Sequence, residues 1–225
     1  MSQLTDLFTG IANSIRTKKG TSESIPAQNF ASEITNLPTG VDINDYFRTS
    51  IASGTYSINR SIRKLPPLTI ASSVLSLSNA FYYCINISEI NFVSADTGKV
   101  TNLSSAFRYC NSLVNVNVQG GIFNCEKVNN ISNIIGSSTN VQTLPTFQNL
   151  GQAYTSTTVD YSNYSLNLSP SSKITYTTLI NIINGLYDLA AAGKARQSLV
   201  LGSTNLAKLT SEEIAIATNK GWNVS

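Results

Sequence analysis

Leu77-Ser78-Asn79-Ala80-Phe81-Tyr82-Tyr83-Cys84-Ile85-Asn86-Ile87-Ser88-Glu89-Ile90-Asn91-Phe92 and Leu103-Ser104-Ser105-Ala106-Phe107-Arg108-Tyr109-Cys110-Asn111-Ser112-Leu113-Val114-Asn115-Val116-Asn117-Val118 are two copies of one pattern. Residues 81 and 107, 84 and 110, and 90 and 116 each stand 26 apart. Leu77, Ala80, Phe81, Cys84, Ile87, Ile90 and Phe92 of the first copy meet Leu103, Ala106, Phe107, Cys110, Leu113, Val116 and Val118 of the second. A looser third copy, Ile131, Ile134, Ile135, Ser138, Val141 and Leu144, follows at an offset of 28. Within a copy, Leu77, Ala80, Phe81 and Cys84 fall at helical steps, whereas Ile90 and Phe92 alternate as strand residues do. The spacing therefore predicts an α/β coil made of a helical turn and a short strand. One coil cannot bury its inward face; stacked coils about 4.8 Å apart share a core and pair their strands. Phe81, Phe107, Cys84 and Cys110 are then a ladder of core side chains.

Outward from the repeats, the chain divides into an N-terminal module (1–40), a connector and first coil (41–70), the repeat coils (71–150) and a C-terminal region of longer helix-strand units (151–225). In the first module Leu4, Phe8, Ile11 and Ile15 form one helical stripe, and Phe30 and Ile34 belong to a second, shorter one. Isolated helices of about 12 to 15 residues are marginal in water, so these stripes need a partner surface. Either they pack as a hairpin on the rest of the chain, or they pair between copies of the protein and anchor it. In the C-terminal region Leu166-Asn167-Leu168 and Leu199-Val200-Leu201 read as strands. Leu179, Ile182, Ile183 and Leu186 make a helical stripe, and Thr210-Ser211-Glu212-Glu213 opens a capped helix that ends before Trp222. Such units are expected to cap the last apolar face.

At 225 residues with 41% hydrophobic content the chain can build a substantial core. Only 12% of residues are charged, about half the usual share. Asn, Ser and Thr supply the polarity instead, which suits an extracellular or particle surface. The net charge of +3 is small and its cations are scattered, which argues against nucleic acid as a partner. No run approaches the roughly 18 apolar residues of a membrane span, and the first residues lack the pattern of a secretory signal. The expectation is a protein made in a cytoplasm and released without a signal peptide.

The recurring Phe-x-x-Cys-x-x-Leu-x-x-Ile-x-Leu resembles BspA-type leucine-rich repeats. It stands here as Phe81, Cys84, Ile87, Ile90, Phe92 and as Phe107, Cys110, Leu113, Val116, Val118. Ile11-Ala12-Asn13-Ser14-Ile15-Arg16-Thr17-Lys18-Lys19-Gly20-Thr21, continued by Ile25-Pro26-Ala27-Gln28-Asn29-Phe30-Ala31, is similar to a module at the start of structural proteins from phages and prophages of Gram-positive bacteria. Asn44-Asp45-Tyr46-Phe47 and the closing segment around Leu201 to Trp222 are similar to stretches that accompany it. The resemblance implies a short leucine-rich-repeat solenoid and a place in a virion, as a tail, baseplate or fibre protein. A bacterial cell-surface adhesin with the same repeats, or a capsid-attached fibre or decoration protein, is the alternative.

Without histidine, Ser-His and Cys-His nucleophile pairs are ruled out, and Cys84, Cys110 and Cys125 lack the companions of a zinc site. No cofactor and no metal are expected. The acids are dispersed, although Asp45, Glu89, Asp96 and Glu126 remain open as a converging set. The expectation is a non-enzymatic protein that acts by contact. Tyr82 and Tyr83 in one coil, and Arg108 and Tyr109 in the next, lie between the Phe and Cys of each pattern and point away from its core. They form either a plain solvent-facing rim or a patch for a host cell-surface glycan or protein. Leu4, Phe8, Ile11, Ile15, Phe30 and Ile34 are the residues expected to make a homo-oligomer, a trimer being one arrangement, and to join other virion proteins.

Overall fold

The computed structural model describes residues 51–60, 62–155 and 163–225, which all belong to one unit of the chain, Thr49–Ser225. The expected helical stripes of residues 1–40, with Leu4, Phe8, Ile11, Ile15, Phe30 and Ile34, lie outside the described residues.

The chain does not build the expected leucine-rich-repeat solenoid with a helical turn and a strand in every coil. The described residues instead form a mixed fold of three small, open parallel sheets and three short helices. The first sheet runs β1 (Leu68–Ile70), β2 (Glu89–Ala95), β3 (Asn115–Val118); the second pairs β4 (Ile122–Asn124) with β5 (Thr146–Gln148). The third runs β6 (Leu166–Asn167), β7 (Gln197–Val200), β8 (Trp222–Val224). The helices are α1 (Tyr176–Gly185), α2 (Ser203–Leu206) and α3 (Ser211–Asn219), so none falls within the repeats.

Backbone hydrogen bonding explains why the helically spaced segment is not a helix. In residues 77–84 alternate N–H groups close tight turns, Ala80 to Leu77 O, Tyr82 to Asn79 O and Cys84 to Phe81 O. The N–H groups between them leave the copy, Asn79 to Ser104 O, Phe81 to Ala106 O and Tyr83 to Arg108 O. The next copy repeats this with Ser105 to Ser132 O, Phe107 to Ile134 O and Tyr109 to Gly136 O. A helix would direct all of these groups back along its own axis. Asn79 and Tyr83, and Ser105 and Tyr109, take left-handed φ between 54° and 66°, a conformation that interrupts any right-handed helix.

The strands of the two close copies pair in register, Glu89 with Asn115 through Phe92 with Val118, at the spacing that relates the copies in sequence. The pairing does not continue as one sheet. Gly120 and Gly121, with φ of 81° and 74°, turn the chain after β3. In the third copy Pro145 stands just beyond Thr143, whose bridge to Asn115 is isolated, and proline has no N–H to extend a ladder.

A further copy, at residues 51–60 within the 41–70 segment, precedes the two close ones. Gly54, Tyr56 and Ile58 donate to Ser78 O, Ala80 O and Tyr82 O. Tyr56 stacks on Phe81 with ring centroids 5.4 Å apart, and Phe81 on Phe107 at 5.7 Å. These rings, with Ile131, Ile134, Ile135 and Val141, are buried in one hydrophobic core that runs on to Trp222. At the C-terminal end Thr210 and Glu213 form a reciprocal capping box at the start of α3. Trp222 is fully buried and donates its indole N–H to Tyr187 O at 3.0 Å.

Phe107 lies between two neighbouring copies, so its removal leaves a cavity that neither can collapse into. Phe107→Ala is expected to lower unfolding free energy by about 3–5 kcal/mol. Val93→Ala, at a position 46% exposed, should stay within about 0.5 kcal/mol. Denaturant midpoints of the two variants check the contrast.

Candidate functional site

The turn face of the stacked copies gathers Tyr82, Tyr83, Arg108 and Tyr109, all half-buried. Tyr82 and Arg108 occupy one position of successive copies, and Tyr83 and Tyr109 the next, where each has left-handed φ. Because backbone bonds join the copies at these positions, the side chains stand next to one another. The Tyr83 and Tyr109 rings lie 4.8 Å apart, and Tyr82 meets Tyr109 edge-on at 5.7 Å. Arg108 lies over the Tyr109 ring at 4.8 Å and donates from Nη2 to Tyr109 Oη at 3.3 Å.

Arg60 joins this group from the preceding copy, with its guanidinium 4.7 Å above the Tyr83 ring. In the sequence it lies outside both close copies of the pattern. The signal that identifies it is Tyr56, which stands in the place of Phe81 one copy earlier. Ile58 takes the column position of Tyr83 and Tyr109 there, with φ of 63° and 62% exposure. Gly136 makes room on the other side. A Cβ on it would approach Arg108 Cγ to 3.2 Å, so the glycine lets the Arg108 stem lie across the neighbouring copy and bury Nε.

Most of the lysines toward the C-terminus have structural partners. Lys194 donates to Gln152 O and Tyr154 O, Lys208 to Ser172 O and Ile174 O, and Lys220 to Ile183 O and Asn184 O. Burial holds Lys220 below the usual lysine range. Arg60 and Arg108 differ from them. Neither guanidinium has a carboxylate or carbonyl partner among the described residues, and Arg108 Nε is buried without an acceptor.

Several of the carboxylates have local work. Glu89 accepts from Asn117 Nδ2, and Asp96 from the Gly98 N–H. Glu213 accepts from the Tyr176 hydroxyl and the Thr210 N–H. The hydrogen bond from Tyr176 is the main reason Glu213 sits below the ordinary carboxylate range, and it raises Tyr176 in turn. Asp45 lies outside the described residues. No group of three or more Cys, Asp or Glu gathers among the described residues in a way that fits a metal ion.

All three cysteines are buried thiols. Cys84 Sγ donates to Tyr56 O at 3.1 Å and Cys110 Sγ to Phe81 O at 2.9 Å, so each thiol reaches back to the ring-bearing residue of the copy before. Burial pushes Cys110 and Cys125 well above the usual thiol range, which keeps them protonated and poor nucleophiles. Ser138 replaces cysteine in the third copy. Its hydroxyl does the same work, donating to Phe107 O at 2.6 Å and accepting from the Cys110 N–H at 2.9 Å.

No known protein family, curated protein or solved structure matches the chain.

Removing the Ser138 hydroxyl would strand a buried carbonyl and a buried N–H. Ser138→Ala is expected to lower stability by about 1–3 kcal/mol. Ser138→Cys restores the donor found in the other copies and should cost less, a ranking that equilibrium urea unfolding measures directly.

Proposed function

We propose that the chain is a non-enzymatic structural protein of a bacteriophage particle. Residues 1–40 attach it, as an oligomer, to the tail, baseplate or fibre, and the stacked copies are presented for contact with another protein or a host surface. The observation that carries this reading is the patch of Tyr82, Tyr83, Tyr109, Arg60 and Arg108, assembled from three consecutive copies on their turn face. Aromatic and arginine side chains are the types that dominate contact energetics, and the tyrosines bring a large area with little conformational entropy to lose. The half-buried setting of Tyr82, Tyr83, Arg108 and Tyr109 holds them in place ahead of contact.

The chemical inventory supports contact over catalysis. The chain contains no histidine, its Cys110 and Cys125 thiols are held protonated by burial, and Glu89, Asp96 and Glu213 are engaged in local hydrogen bonds. The likeness of residues 11–31 to the opening module of phage structural proteins supplies the virion setting.

Two experiments test the two halves of the proposal. A Tyr82→Ala, Tyr83→Ala, Tyr109→Ala variant should lose binding of labelled protein to intact Gram-positive cells while keeping its thermal midpoint; undiminished binding would remove the patch from any contact role. Deleting residues 1–40 should leave a folded, monomeric remainder that no longer joins particles. A remainder that still joins them places attachment elsewhere.

A further inference from the structure

We infer that the tyrosine-arginine patch binds an acidic polysaccharide, with sugar rings lying on Tyr82, Tyr83 and Tyr109 and the carboxylates of the polymer held by Arg60 and Arg108. This rests on the reading of that face as a contact surface and names its ligand class. Tyrosine rings offer flat apolar area and a hydroxyl at the edge, which suits the C–H face and the hydroxyl rim of a sugar. Three such rings stand together, Tyr82 with Tyr83 at 5.5 Å and Tyr83 with Tyr109 at 4.8 Å.

The charge of the ligand follows from the two guanidiniums. Each guanidinium is a planar fork of N–H donors matched to a carboxylate. Among the described residues the only hydrogen bond either guanidinium makes is Arg108 Nη2 to Tyr109 Oη. Stacking on Tyr83 and Tyr109 fixes both forks in position and uses only one of their donors, Arg108 Nη2, so little ordering is left for the ligand to impose. A neutral glycan could answer those donors only with hydroxyl oxygens, without the opposite charge and paired oxygens of a carboxylate.

A polymer is favoured because the patch runs across successive copies: Arg60 comes from one copy, Tyr82 and Tyr83 from the next, Arg108 and Tyr109 from the third. Parallel neighbours lie about 4.8 Å apart, comparable with the length of one sugar unit. Uncharged amides continue alongside. Asn86 donates to Arg60 O and Asn140 to Asn111 O, in the polar ladder next to the rings. Amide side chains hydrogen-bond hydroxyls without adding charge.

The test is binding of the full chain to immobilised polygalacturonate, to its fully methyl-esterified form, and to inorganic polyphosphate. Polygalacturonate should bind in low salt, weaken as salt rises, and bind roughly tenfold or more tightly than the ester, because a charge-assisted fork is lost on esterification. An Arg60→Gln, Arg108→Gln variant should lose about the same factor, and the ester comparison holds even if that variant is unstable. Equal binding of the ester, polyphosphate binding as tight as polygalacturonate, or no binding to any of the three would each overturn the acidic-polysaccharide assignment. These failures are distinct from failure of the contact surface itself. If cell binding still depends on the tyrosines while the polymers do not bind, only the ligand class falls.

Discussion

Hydrogen bonds from the backbone of one copy to the backbone of the next set the rest of the described structure. Phe81 N–H to Ala106 O and Phe107 N–H to Ile134 O, both 2.8 Å, fix which residue lies over which. Buried N–H groups must be paired somewhere, and the left-handed φ at Asn79, Tyr83, Ser105 and Tyr109 directs alternate ones away from their own turn. Once this register is set, Tyr56, Phe81 and Phe107 must stack, and the Cys84 and Cys110 thiols must reach the carbonyl of the ring residue behind them. Ser138 can stand for cysteine because the role is that of a hydrogen-bond donor, which a hydroxyl fills as well as a thiol.

The same register creates the candidate surface. Tyr83 and Tyr109 are 26 residues apart in sequence, yet their rings approach to 4.8 Å because their N–H groups hold equivalent places in the ladder. Arg60 reaches Tyr83 from two residues beyond Ile58, which holds the equivalent place one copy earlier. The surface is thus a product of stacking, and a single copy would present only a pair of tyrosines. Core and surface are coupled: a change that shifted the phenylalanine stack would shift the tyrosines on the same backbone segments.

Low charge is also put to use. Lys194, Lys208 and Lys220 each bridge carbonyls across the C-terminal part of the fold, where helices and strands of unequal length leave acceptors that sheet pairing does not reach. Arg60 and Arg108 stand apart because aromatic faces hold them and, among the described residues, no carboxylate or carbonyl pairs with their guanidiniums.

By itself the sequence determined which residues recur, which of them are apolar, and the spacing of 26 at which β2 and β3 pair. It also determined the local ends of α3, because the Thr210 and Glu213 capping box is a contact between near neighbours. Only the tertiary structure decided that the helically spaced Leu77, Ala80, Phe81 and Cys84 do not make a helix. Consecutive tight turns place residues on one side at similar steps, and the two differ in where the intervening N–H groups point, which depends on a neighbouring copy. The division into three separate sheets likewise arises from Gly120, Gly121 and Pro145 acting on partners distant in sequence. Which residues of the 41–70 segment make the first coil stayed hidden because Tyr56 and Asn59 replace phenylalanine and cysteine, so Arg60 could be joined to Tyr83 only once the copies lay side by side.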